Sequence, residues 1–180
     1  MNSLGQKIHI IGPVGSGKTT LAKKLALLNQ CDYFELDNIV WIRSEDGDIR
    51  RTENDRDLLL QQIINNKKWV IEGAHYQPWT APSLESADCI IYLEPSYFTR
   101  IYRVNKRFIK QLLKIEQANY KPTFQMLRKM FEWSDFHEQK GKYLIQEMLD
   151  TYQEKVILIQ SNKDLKRLLD QSYLTQDVSV

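Results

Sequence analysis

Cysteine is scarce in this chain, with Cys31 and Cys89 the only two. Neither has CxxC or Cys/His spacing, so nothing supports a metal knuckle, a redox pair or a disulfide framework. Both read as buried, reduced thiols. Long apolar runs are also missing: none approaches the roughly 20 residues that cross a bilayer. Residues 1–7 lead straight into a strand without signal-peptide architecture, so a cytoplasmic protein with no membrane partner is expected. Charge of one sign is lacking too. Lys and Arg total 25 against 23 Asp and Glu, too even a balance to draw the whole surface to nucleic acid or lipid. His9, His75 and His137 are too scattered in sequence to suggest a metal site. No repeat or low-complexity tract interrupts the 180 residues, a length suited to one domain with a real core.

What is present is an alternation of strands and helices. Ile8, Ile10 and Ile11 form a short buried strand that ends at a glycine loop. Leu21, Ala22, Leu25 and Leu28 then follow the helical period. Residues 33–36 read as a second strand, and Asp46-Gly47 marks a turn in the polar stretch after it. Thr52-Glu53-Asn54-Asp55 has capping-box spacing and opens a helix that runs to Ile64. Residues 69–71 and 89–93 are two further buried strands. Pro95-Ser96 starts a long helix expected to reach about Glu116. Residues 156–159 form a last strand, and Ser161 with Asp164 caps a final helix; the tail after Tyr173 is polar and expected to fray. Continuous Val/Ile strands between helices predict an α/β fold whose parallel sheet is covered on both faces. Residues 115–155 break the rhythm. They hold Lys121-Pro122, the aromatics Tyr120, Phe124, Phe131, Trp133 and Phe136, and one turn candidate, Gly141. Two helices with a mobile connection, laid over the sheet as a lid, are expected within a single domain spanning 1–180.

Gly12-Pro13-Val14-Gly15-Ser16-Gly17-Lys18-Thr19 fills every fixed position of G-x-x-x-x-G-K-[ST], the P-loop or Walker A pattern. Glycines let such a loop curl its N–H groups inward at phosphate, and the helix that follows adds its positive end. Gly12, Gly15, Ser16, Gly17, Lys18, Thr19 and Thr20 are therefore the expected contacts to a nucleoside triphosphate. Lys18 would neutralise β- and γ-phosphate oxygens, and the Thr19 hydroxyl would ligate Mg²⁺. The guanine-reading Asn-Lys-x-Asp of GTPases is absent: Asn162-Lys163-Asp164-Leu165 is one residue out of register. No hydrophobic strand ends in a paired Asp-Glu, and the chain is short for a large motor ATPase. A small phosphotransferase or a nucleotide-dependent switch remains.

Three groups around the cradle carry further expectations. Asp37 follows the second strand at the carboxyl edge, where it could hold Mg²⁺, accept a proton from an attacking hydroxyl, or merely close an Asx turn. Glu72, before Gly73, could hold a magnesium-bound water or be a solvated loop residue. Arg100, Arg103, Arg107, Lys110 and Lys114 form one basic stripe, with Ile101, Val104, Phe108, Leu112 and Ile115 as the opposing apolar face. The planar forks of Arg103 and Arg107 suit charge on a transferred phosphoryl group; a solvated face or a nucleic-acid backbone are the alternatives. The aromatics that follow suit a packed lid better than a platform for single-stranded nucleic acid.

From the P-loop through Leu36-Asp37-Asn38-Ile39-Val40-Trp41, Trp69-Val70-Ile71-Glu72-Gly73 and the Arg-rich helix, the chain resembles the DNA topology modulation proteins. These are small P-loop proteins similar to adenylate and shikimate kinases. The resemblance implies a three-layer P-loop NTPase fold with a five-stranded parallel sheet in the order 2-3-1-4-5, a helical lid, and ATP with Mg²⁺. It departs after the third strand. Nucleoside monophosphate kinases typically carry Asp-Gly-Phe-Pro-Arg there and topology modulation proteins Asp-Gly-Asn-Tyr, whereas this chain has Glu72-Gly73-Ala74-His75-Tyr76. The leading expectation is an ATP-dependent phosphotransferase acting on a nucleotide or another small acceptor. The alternative is a nucleotide-dependent regulator of DNA topology with no dedicated acceptor, and oligomeric state is left open.

Overall fold

The structure, a computed structural model, describes residues 4–44, 47–116 and 122–174. Its centre is a parallel sheet of five strands: β1 (Lys7–Ile11), β2 (Tyr33–Glu35), β5 (Trp69–Gly73), β6 (Cys89–Leu93) and β7 (Val156–Ile159). They lie in the order β2-β5-β1-β6-β7, which is 2-3-1-4-5 when these five are counted in chain order. β3 (Trp41–Ile42) and β4 (Ile49–Arg50) form a separate antiparallel hairpin. The helices are α1 (Lys18–Asn29), α2 (Leu36–Val40), α3 (Glu53–Ile64), α4 (Ala81–Ser86), α5 (Tyr97–Leu112), α6 (Phe124–Phe136), α7 (Lys142–Leu149) and α8 (Asn162–Leu174). The register sets Ile10 beside Glu72 and Glu35 beside Glu72, so two carboxylates meet at one edge of the sheet.

The three central strands are largely apolar because both faces are covered, with His9 and Glu72 as buried exceptions. On one face Ile8, Ile10, Val70 and Ile91 pack with Leu21 and Leu25 of α1 and Leu168 of α8. On the other, Ile11, Ile71 and Ile90 pack with Leu60 of α3, Leu84 of α4 and Ile145 and Leu149 of α7. Trp69 is fully buried and donates its indole N–H to the Ile64 carbonyl at 3.3 Å. Truncating a core leucine such as Leu25 to alanine would cost about 2–5 kcal/mol.

Helix ends follow the side chains that cap them. The Thr52 hydroxyl accepts from Asp55 N at 3.1 Å and opens α3. Ser161 and Asp164 bond reciprocally, Ser161 N to Asp164 Oδ2 at 3.0 Å and Asp164 N to Ser161 Oγ at 3.2 Å, and open α8.

Several expectations shift. The second strand stops at Glu35, and Leu36, fully buried, begins a helix, so Asp37 lies in the first turn of α2 and closes no Asx turn. α5 ends at Leu112, four residues earlier than expected, with Lys114 at φ +54° beyond it. Gly141 makes no turn: it closes a π-helical segment, His137–Gly141, that carries α6 directly into α7. Its missing Cβ leaves room for the His137 ring, whose Nδ1 lies 3.1 Å from where that atom would stand. Cys89 is buried but Cys31 only half-buried, and burial raises both thiols, Cys89 to about 12. Asp46 of the expected turn, Tyr120 and Lys121 of the expected connection, and the tail 175–180 lie outside the described residues.

Candidate active site

The loop from Gly12 to Gly17 joins β1 to α1 at the carboxyl edge of the sheet. It is wedged between β6 and α5, and two of its glycines are there because nothing larger fits. A Cβ on Gly12 would lie 2.4 Å from the Leu93 carbonyl oxygen. One on Gly15, whose φ is +76°, would lie 2.8 Å from the Arg100 carbonyl oxygen and 3.0 Å from Val104 Cγ2. Gly17 is the N-cap of α1. Ser16 N donates to the Pro13 carbonyl at 3.2 Å, while the buried Ser16 hydroxyl has no hydrogen-bond partner among the described residues. An orphaned hydroxyl in a backbone cradle is what a phosphate oxygen would satisfy.

Lys18 and Thr19 open α1. Lys18 Nζ donates to the Pro13 carbonyl at 3.0 Å, folded back over the loop. Burial lowers its pKa; Glu72 and then Asp37 oppose that shift, and Arg107 and Arg100 reinforce it. The Thr19 hydroxyl donates to Glu72 Oε1 at 2.5 Å, and Glu72 is buried at the end of β5. A hydroxyl and a carboxylate in contact below a phosphate loop form a hard-oxygen pair that suits Mg²⁺, which prefers a few protein oxygens plus waters. Thr20 is exposed on α1.

On the β2 side, Asp37 Oδ1 and His75 Nε2 are 2.9 Å apart, and this hydrogen bond holds the Asp37 carboxyl below the usual carboxylate range. Glu35 is pushed up, first by burial and then by Glu72. A cavity of about 300 Å³ opens here, floored by Phe34, Ile39, Leu59 and Ile63 and rimmed by Glu35 and Asn38.

On the other side the basic stripe divides. Arg103 Nη1 donates to the Ser16 carbonyl at 2.7 Å and Nη2 to Asn162 Oδ1 at 3.2 Å, so this guanidinium braces the loop against the start of α8. Arg107 Nη2 contacts Met130 Sδ of α6 at 3.6 Å. Arg100 is fully buried and paired with Glu138. The buried face of α5 is Arg100, Val104, Phe108 and Gln111; of the expected apolar face Val104 and Phe108 are buried, while Leu112 at the helix's end and Ile115 beyond it are exposed. Lys110 pairs with Glu116 at 3.9 Å.

The structure thus gathers Lys18, Thr19, Glu72 and Asp37 at one edge, with Arg103 against the loop itself. Reasoning from the sequence missed Glu35, His75, and the group at the end of β6, where Glu94 accepts from Tyr92 and meets His137 Nε2 at 2.8 Å. For His75 a signal existed: it stands where the resembled proteins carry other residues after the third strand.

A family model described as an AAA domain matches residues 8–120, from β1 past the end of α5. The chain belongs to that AAA domain family. Among curated relatives, a shikimate kinase of Francisella tularensis subsp. novicida is 25% identical over 123 residues, covering 62% of this chain and 70% of its own. A shikimate kinase of Francisella philomiragia is 26% identical over 134 residues, covering 68% and 75%. Two solved structures share the fold. A shikimate kinase from Acinetobacter baumannii in complex with shikimate has a TM-score of 0.53 at 19% identity, covering 98% of this chain and 96% of that one. A gluconokinase from Sinorhizobium meliloti has a TM-score of 0.51 at 13% identity, covering 99% and 100%. The protein is a small P-loop kinase-like protein. Among the described residues no helix is long and apolar enough to cross a membrane.

Proposed function

We propose that this protein is an ATP- and Mg²⁺-dependent kinase that transfers the γ-phosphoryl group to a hydroxyl of a small acceptor. The observation that carries the reading is the Thr19–Glu72 contact, at 2.5 Å, set beside Lys18 below the loop. In this reading the loop N–H groups and Lys18 bind phosphate oxygens, while Thr19 and Glu72 hold the metal, directly or through water. Magnesium, when bound, neutralises charge on the β- and γ-phosphates. Asp37 takes the proton of the attacking hydroxyl or lends an oxygen to the metal shell. The new bond to phosphorus forms as the bond to the bridging oxygen breaks, leaving ADP. Arg107 serves the transferred group, and Arg103 keeps the loop in shape. The lid role falls to α6, since α7 is built into the core through Ile145 and Leu149.

Resemblance to topology modulation proteins would favour a DNA-directed role. The geometry lends it less, because Arg100 is buried and Arg103 is spent on the loop, which shortens the outward basic stripe.

The test is calorimetric MgATP binding, followed by a screen for acceptor-stimulated ADP release with shikimate, gluconate and nucleoside monophosphates. The wild type is expected to bind MgATP, Lys18→Ala to bind at least about tenfold more weakly with an unchanged circular dichroism spectrum, and one acceptor to raise ADP release. Equal affinity in wild type and a folded Lys18→Ala variant would refute the assignment.

A further inference from the structure

Asp37 sits on the first turn of a five-residue helix, and its side chain is 65% exposed. A carboxylate so placed has rotamer freedom that a phosphoryl-transfer site cannot use, because reacting atoms must be held to a fraction of an ångström. The contact that gives it a direction is His75 Nε2 at 2.9 Å. An ionised carboxylate only accepts hydrogen bonds, so Nε2 carries the proton.

His75, in contrast, is fixed. Its side chain is 21% exposed and its ring meets Trp79 edge-on, with centroids 5.4 Å apart and planes at 67°. Trp79 packs against the core, and the Arg56 guanidinium of α3 lies 4.7 Å above its ring. Arg56 is itself tied by Nε to Asp57 at 2.7 Å. A chain of contacts therefore runs from α3 through Arg56, Trp79 and His75 to the one exposed carboxylate of the site. The rigid member of the last pair is the imidazole.

We propose that His75 is a positioning residue that fixes Asp37, occupying Oδ1 so that Oδ2 is presented to the acceptor hydroxyl. The inference rests on the kinase reading above and adds to it the group that aims the proton-accepting carboxylate. His75 touches neither the triphosphate cradle nor the Thr19–Glu72 pair, so its loss leaves MgATP binding intact.

Two measurements test this. In the first, water is the acceptor and MgATP hydrolysis is followed in wild type, Asp37→Asn, His75→Ala, His75→Gln and the Asp37→Asn/His75→Ala double variant. His75→Ala should lower kcat roughly tenfold, with KM for MgATP unchanged. The double variant should be no slower than Asp37→Asn alone, and His75→Gln, whose amide can still donate, should recover most of the rate. Wild-type turnover in His75→Ala, or losses that multiply in the double variant, would overturn the proposal. Wild-type turnover in Asp37→Asn would instead remove the proton-accepting role of Asp37, and the proposal with it, while leaving the Lys18 result untouched. The second measurement is independent of activity. Nitrogen NMR of the neutral imidazole should show His75 as the Nε2–H tautomer in wild type and as a mixture in Asp37→Ala; the same tautomer mixture in both would overturn the contact itself.

Discussion

Acid should weaken this fold through His9. His9 lies in the middle of β1, between Ile71 of β5 and Ile90 of β6. It is fully buried, and neither ring nitrogen has a hydrogen-bond partner among the described residues. Burial first, and His75 second, lower its pKa from 6.5 to about 3. Above pH 6.5 the imidazole is neutral in both folded and unfolded chains, and it adds no pH dependence. Between 6.5 and about 3 the unfolded chain takes a proton that the folded one refuses. Stability is therefore full above 6.5 and falls with pH, by up to about tenfold in the folding equilibrium per unit. From pH 6.5 to 4.5 that amounts to roughly a hundredfold, or about 2–3 kcal/mol, a large share of the ~5–15 kcal/mol of an ordinary domain. The control is His9→Leu, close in volume and without a proton to bind. Urea unfolding of both proteins at several pH values down to about 4.5 separates His9 from the carboxylates, which titrate alike in the two and cancel in the difference. The two should converge near pH 7.5, with the variant equal or ahead because a buried unpaired polar ring has been removed. Below pH 6.5 they should diverge, the wild type falling faster. Parallel curves through pH 4.5 would show that His9 is hydrated or paired, and the reasoning would fail.

Gly15→Ala should cost about 1–3 kcal/mol, because the added methyl meets the Arg100 carbonyl at 2.8 Å in a left-handed backbone conformation; thermal melts read the loss, calorimetry should show weakened MgATP binding, and an unchanged variant would mean the loop is not wedged against α5. Hydrogen exchange with a non-hydrolysable ATP analogue and Mg²⁺ should slow in α6 but not in α7, whose Ile145 and Leu149 are already in the core; equal protection of both helices would mean that the two move together.

The five strands of the sheet were legible because each carries its own signal, while their order followed only from the family resemblance. Buried parallel strands read as continuous apolar runs, and the glycine loop fixes which strand is first. The interruptions were not legible, for physical reasons. Leu36 could serve equally as the last residue of a strand or the first of a helix, since it is buried in either role. Glycine commonly marks a turn, but Gly141 sits close under the His137 ring and leaves the helix unbroken. In the site, the P-loop was readable because its chemistry is local in sequence. Asp37 and His75 are 38 residues apart, as are Arg100 and Glu138, and only the packed strands and helices bring each pair together. The basic stripe shows the limit of periodicity: spacing places Arg100 on a face with Arg103 and Arg107, and says nothing about which edge of that face is buried.

Charge at the site is sorted by side. Glu35, Asp37 and Glu72 come from β2, α2 and β5, and Arg100, Arg103 and Arg107 all come from α5 beyond β6. Lys18 stands between them and feels both, which is why carboxylates raise its pKa while Arg107 and Arg100 lower it. Under the proposed function, a triphosphate would lie nearest the cations and farthest from the carboxylates, which puts the nucleotide toward α5 and the acceptor toward β2. On that reading the acceptor side supplies the proposed proton acceptor, Asp37, and the proposed metal ligand, Glu72. The basic side is built into the fold: Arg100 is paired with Glu138, Arg103 donates to the Ser16 carbonyl, and Arg107 contacts Met130 Sδ. Glu35, pushed up first by burial and then by Glu72, lies on the acidic side. Under the proposed kinase activity, phosphoryl transfer from the basic side to the acidic one would pass close to Lys18, which interacts with both groups.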